Sequence, residues 1–260
     1  MSEGGIIVII RTKIRSLKAA CLLALLLITA KPTVAYAHDG DISFSITTEG
    51  EPLYYDDLYT SLTNLPKGIK NYLSLNNLNV VILDDINGAE AIYEDITGLK
   101  FKGITGFVDV DSSTIYVESS KDANYYKKFN DINKEYDVDT FNYLVINDTL
   151  IHELGHFFDL AYDFKLSKSL EFGEIYYAEV NSFINTTEFK VDNLGVGENI
   201  RSANEYFATA YASYIKYPEE LKELCPRTYE YIDNYMTKLN NEYMPKKEIN
   251  TEYTRIRKPR

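Results

Sequence analysis

Two imidazoles and a carboxylate fall within five consecutive residues, His152-Glu153-Leu154-Gly155-His156. On a helix, positions i and i+4 lie one turn apart on the same face, so both rings can reach a single ion. Neutral imidazole nitrogen binds zinc at about 2.0–2.1 Å, and a catalytic zinc keeps one of its four positions for water. Glu153 projects beside that face, where it can accept a proton from such a water. The pattern also arises by chance in proteins without metal. Here, however, the only other histidine is His38, so two of the three histidines stand at ligand spacing in an apolar stretch. The spacing predicts a centre holding one Zn2+ per chain, with His152 and His156 as metal ligands and Glu153 as catalytic base.

Two histidines leave a catalytic site one ligand short. The residues after His156 run Phe157-Phe158-Asp159-Leu160-Ala161-Tyr162 and lack the Gly and His of the metzincin extension. Cys225 lies in a different local pattern. A carboxylate from a second helix completes a His2Glu site. Spacing alone leaves it open among Glu171, Glu174, Glu179 and Glu205, with Glu205 and Glu179 the leading positions. Glu205 begins an otherwise apolar helical run, and there it has a competing role. Ser202 and Glu205 match a capping box, in which the glutamate bonds back to the helix start.

The elements that must carry these residues are mixed early and helical late. Residues 55–75 have helical spacing interrupted at Pro66-Lys67-Gly68, and Asn79 to Leu83 reads as a short buried strand. Gly103 to Val110 and Ser113 to Glu118 form a hairpin across Asp111-Ser112. Asp109 and Asp111 there are turn residues, because the Gly and Glu of a calcium loop do not follow. Residues 145–163 are the metal-bearing helix. Further helices are expected from about Ser202 to Lys216, from Pro218, and over 227–241. Strands first and helices later indicate an α+β fold.

The 260 residues include 27 Lys+Arg against 39 Asp+Glu, a net charge of −12, which argues against nucleic acid as a partner. Arg11, Lys13, Arg15 and Lys18 precede an apolar run from Ala19 to Ala30, and Ala35-Tyr36-Ala37 supplies small residues for cleavage. That order is a secretory signal peptide over residues 1–37. Cleavage after Ala37 leaves 22 basic and 38 acidic residues, a net charge of −16, in an exported protein with no membrane attachment. Cys21 leaves with the signal and is misplaced for a lipid-modified cysteine. Cys225 then remains alone and is expected to be a small buried apolar residue.

His152-Glu153-Leu154-Gly155-His156, followed by Asn204-Glu205-Tyr206-Phe207-Ala208-Thr209-Ala210-Tyr211, resembles the catalytic domain of anthrax toxin lethal factor. It is similar to the small secreted clostridial Pro-Pro endopeptidases that share that domain. Cys225-Pro226-Arg227-Thr228-Tyr229 and the tyrosine-rich final helix also fit, and the likeness is clear over roughly the last 110 residues. It implies a zincin-like metalloprotease domain over 38–260, in which a small mixed sheet and the active-site helix precede a mainly helical C-terminal part. It also implies zinc held by His152, His156 and Glu205, with Glu153 as general base.

One departure stands out. The family places a tyrosine seven residues before the glutamate ligand, and here that position is Glu198. Tyr176, Tyr177 or Arg201 would have to substitute, or turnover falls; one lost oxyanion donor costs about 10²–10³ in rate. The expected protein is therefore a secreted zinc endopeptidase, monomeric, acting on an extended peptide or protein laid beside the 103–118 hairpin. A catalytically weak or inactive metal-binding module and a toxin component needing a partner for cell entry are the competing classes. About 110 residues before the metal helix leave little room for a translocation domain.

Overall fold

The computed structural model describes residues 45–49, 55–101, 104–119, 138–161, 166–184, 200 and 202–244. The signal segment, Cys21, His38, Glu198 and Arg201 lie outside the described residues. In chain order the elements are β1 (Ser45–Glu49), α1 (Tyr55–Thr63), α2 (Lys67–Leu75), β2 (Asn79–Leu83), a 3-10 turn (Ile86–Ala89) and α3 (Glu90–Thr97). Then come β3 (Gly106–Asp109), β4 (Thr114–Glu118), α4 (Val138–Ala161), α5 (Leu170–Ile184), α6 (Ala203–Lys216), α7 (Pro218–Leu224) and α8 (Pro226–Tyr243). This is a mixed α+β fold with a small sheet and mostly helical content. Among the described residues, no helix is long and apolar enough to cross a membrane.

The sheet runs β1-β2-β4-β3, with β1, β2 and β4 parallel and β3 antiparallel to β4. A parallel strand covered on both faces must be apolar throughout, which explains Val80 to Leu83. Its period-two alternation divides the core. Val80, Ile82, Ile115 and Val117 face the large cluster containing Leu58, Leu62, Leu150, Leu154, Phe158 and Phe207. Val81, Leu83, Phe107 and Tyr116 face a smaller cluster closed by Ile86 and Ala89, with Tyr93 and Phe101 against it.

Asp109 makes the β3–β4 hairpin compact. Its carboxylate accepts the Asp111 and Ser112 amides at 3.1 and 3.4 Å and the Ser112 hydroxyl at 2.6 Å. Ser113, at φ 52°, completes the left-handed step of the turn. The helical run expected over 55–75 is two helices, but the break falls at residues 64–66 rather than at Pro66-Lys67-Gly68: Pro66 caps α2, and Lys67 and Gly68 already belong to it. Pro218 and Pro226 each occupy the first turn of a helix, where a missing amide hydrogen costs nothing.

The most extensive helix–helix interface joins α4 to α6. The two run antiparallel: Lys216 pairs with Asp148 at one end, while Glu205 meets His152 and His156 at the other. Between those ends the chains touch at Gly155, where a Cβ would lie 2.8 Å from Ala208 Cα and 3.0 Å from Ala208 O. Only a glycine allows this approach.

Candidate metal centre

Helix α4 buries Ile151, Leu154, Phe157 and Phe158 and turns His152 and His156 towards the first turn of α6. The two imidazoles lie with ring centroids 4.7 Å apart and planes at 87°. Each Nε2 stands 3.4 Å from the same atom, Glu205 Oε2. One ligand atom from each residue falls within 4.8 Å of the others, so His152, His156 and Glu205 could hold a metal ion.

The spacing can be set against coordination geometry. Ligands at about 2.05 Å from a tetrahedral ion are separated by about 3.3 Å, close to what is seen here. A direct N–H···O bond would draw the atoms closer, to about 2.7–3.2 Å. At 3.4 Å from carboxylate to each imidazole, the spacing suits a shared cation. Two nitrogens and one carboxylate oxygen are a donor set suited to zinc.

The charges around the ligands agree with that fit. Burial raises the Glu205 carboxyl, but the two imidazoles facing it outweigh that and hold the group well below the ordinary carboxylate range. Burial lowers His156, yet Glu205, Glu153 and Asp159 together bring it above its usual value. Glu153 moves the other way from Glu205: burial pushes its carboxyl up, and His156 and His152 reverse only part of this. The Glu205 carboxylate facing the two imidazoles gives the site the negative charge that a dication would balance in part.

Glu153 is 7% exposed. Its place is set by Gly106 on β3, since a Cβ there would lie 3.1 Å from Glu153 Cγ and 2.7 Å from Thr149 Cγ2. Thr105, just before β3, and Thr149 on α4 share a hydroxyl hydrogen bond of 3.0 Å. Asp159, one turn after His156, is fully buried and accepts the Ser167 amide at 2.8 Å, anchoring the turn beyond α4.

The alternative carboxylates are elsewhere engaged or exposed. Glu171 and Glu174 lie exposed on α5. Glu179 is buried and caps α8 from outside it: its carboxylate accepts Arg227 N at 3.1 Å, Thr228 N at 2.9 Å and Thr228 Oγ1 at 2.8 Å. Glu179→Ala is expected to lower stability by about 2–3 kcal/mol, leaving buried donors unpaired, while metal stoichiometry stays unchanged. Chemical denaturation together with metal analysis checks both parts, and loss of metal at full stability would make Glu179 a ligand after all.

The capping-box alternative for Glu205 is not realised. Ser202 makes no side-chain capping bond, and the glutamate instead points at the imidazoles. Of the tyrosines considered as replacements at the oxyanion, Tyr176 donates its hydroxyl to Ile200 O at 3.1 Å. Tyr177 packs against Tyr176 and is 81% exposed. Cys225 is fully buried, as a small apolar residue should be.

Sequence reasoning passed over Gly106, Gly155, Asp159 and Thr209. The first two carry a faint signal, a glycine inside a strand and another inside a helix.

No family model matches the chain, and no curated protein does. Among solved structures, a Pro-Pro endopeptidase from Paenibacillus alvei matches at 19% sequence identity with a TM-score of 0.41, covering 75% of this chain and 94% of that one.

Proposed function

We propose that the chain is a secreted zinc-dependent endopeptidase of the lethal factor-like type. The observation that carries this reading is the convergence of His152, His156 and Glu205, 3.4 Å from carboxylate to each imidazole, with Glu153 buried on the same helix between the two histidines. When bound there, zinc would polarise a peptide carbonyl and acidify a water. Glu153 takes the proton of the attacking water and passes it to the departing amine, a task suited to a carboxyl that burial has raised. β3 is the sheet's edge strand beside α4, so an extended peptide can add to it as a further strand and bring its backbone towards the centre. Residues 1–37 would direct export.

A metal-binding protein without turnover is the second reading, favoured by Glu198 at the tyrosine position and by the bond that ties Tyr176 to Ile200. A diverse peptide library incubated with the mature chain separates the two. The endopeptidase yields internal fragments that vanish with a chelator and return with zinc. Stoichiometric zinc without any fragments would establish the silent module, and absence of zinc binding would end both readings.

A further inference from the structure

We infer that Thr209 is a positioning residue that fixes the Nδ1–H tautomer of His152 and so aims its Nε2 lone pair at the metal. The inference rests on the proposed metal reading but comes from a separate set of atoms. Thr209 is fully buried one turn after Glu205 on α6. Its hydroxyl oxygen lies 2.9 Å from the Glu205 carbonyl and 3.3 Å from His152 Nδ1. A hydroxyl has one hydrogen. The shorter contact uses it, because a carbonyl can only accept, so towards His152 the oxygen must itself accept. Nδ1 then carries the proton, and Nε2, the atom facing Glu205 Oε2, is left with its lone pair. Partners on the far nitrogen set which imidazole nitrogen binds metal and how the ring is held.

The same oxygen therefore ties two of the three ligand-bearing residues together: the backbone of Glu205 and the ring of His152. Threonine suits this double task because its β-branch leaves few rotamers for the hydroxyl, and burial excludes water as a competing partner.

Thr209→Val keeps the shape and removes the hydroxyl, whereas Thr209→Ser keeps the hydroxyl. Chelator competition should show zinc bound about 10–100-fold more weakly by the valine variant, the range for loss of such a partner. The serine variant should recover most of that loss. In the metal-free protein at mildly alkaline pH, ring-nitrogen NMR should report Nδ1–H at His152 in the wild type and in Thr209→Ser. In Thr209→Val that preference should relax. Equal zinc affinity in wild type and Thr209→Val overturns the inference, as does a serine variant as weak as the valine one, which would reduce Thr209 to packing. An Nε2–H tautomer in the metal-free wild type overturns it too, whether or not zinc binds. Failure of the wild type to take up zinc, with Nδ1–H in place, defeats the metalloprotease reading while upholding the Thr209–His152 bond.

Discussion

On the proposed zinc-endopeptidase reading, Glu153→Gln is expected to reduce kcat/KM for any cleaved peptide by about 10³-fold while zinc content stays at the wild-type level, within the 10²–10⁴ range typical of a lost acid–base group. The substitution is nearly isosteric, so the space between α4 and Gly106 remains filled and Thr149 keeps its neighbour. None of the three candidate ligand atoms of His152, His156 and Glu205 is altered. An amide cannot accept and release a proton as the mechanism requires. It also carries no charge to bury, so thermal stability should hold or rise slightly, because burial already disfavours the charged form of Glu153. Kinetics on one substrate, zinc analysis and thermal unfolding together isolate the chemical step. Activity within tenfold of wild type, at full zinc occupancy, would remove Glu153 from the reaction.

The local elements were legible because each had a local cause. His152 and His156 sit at the helical repeat, Pro218 and Pro226 open their helices, and β-branched Val80 to Ile82 make a strand covered on both faces. α6 runs from Ala203 to Lys216, as its spacing predicted, and α8 extends only a residue or two beyond the expected 227–241. Boundaries were less legible. α4 begins at Val138, seven residues before the expected start, and the parallel pairing of β1, β2 and β4 depends on crossovers that no short window contains.

Roles that depend on partners far along the chain were the hardest to read. Glu179 and Glu205 look alike in sequence, each an acid on an apolar helix. One caps α8 at Arg227 and Thr228, and the other meets two imidazoles some fifty residues upstream. Only packing assigns them. Spacing left Glu205 open to a cap and a ligand role and the family resemblance favoured the ligand; α6 lies antiparallel on α4, which turns its first turn towards His152 and His156.

Gly155→Ala tests whether that packing holds the centre together. The added methyl would meet Ala208 Cα at 2.8 Å, Ala208 O at 3.0 Å and Tyr211 Cβ at 3.2 Å. The first two are backbone atoms of a helix held to α4 by the Lys216–Asp148 pair, so no flexible side chain can move aside. The helices must separate by a few tenths of an ångström or more, carrying Glu205 away from the imidazoles. In stability the effects partly cancel: alanine gains about 1 kcal/mol of helix propensity, while overpacking costs about 1–3 kcal/mol. Metal-site geometry has no such compensation, since it tolerates only about 0.2 Å. Zinc affinity is therefore expected to fall about tenfold or more, and cleavage about 10²-fold, with the protein still folded. Gly173→Ala on α5 is the matched control, because its added Cβ meets nothing within 4 Å. That variant should be stabilised by about 0.5–1 kcal/mol and bind zinc as wild type does. Wild-type zinc affinity and cleavage in Gly155→Ala would mean that the close approach at Ala208 does not set the position of Glu205, and the α4–α6 contact would then be core packing alone.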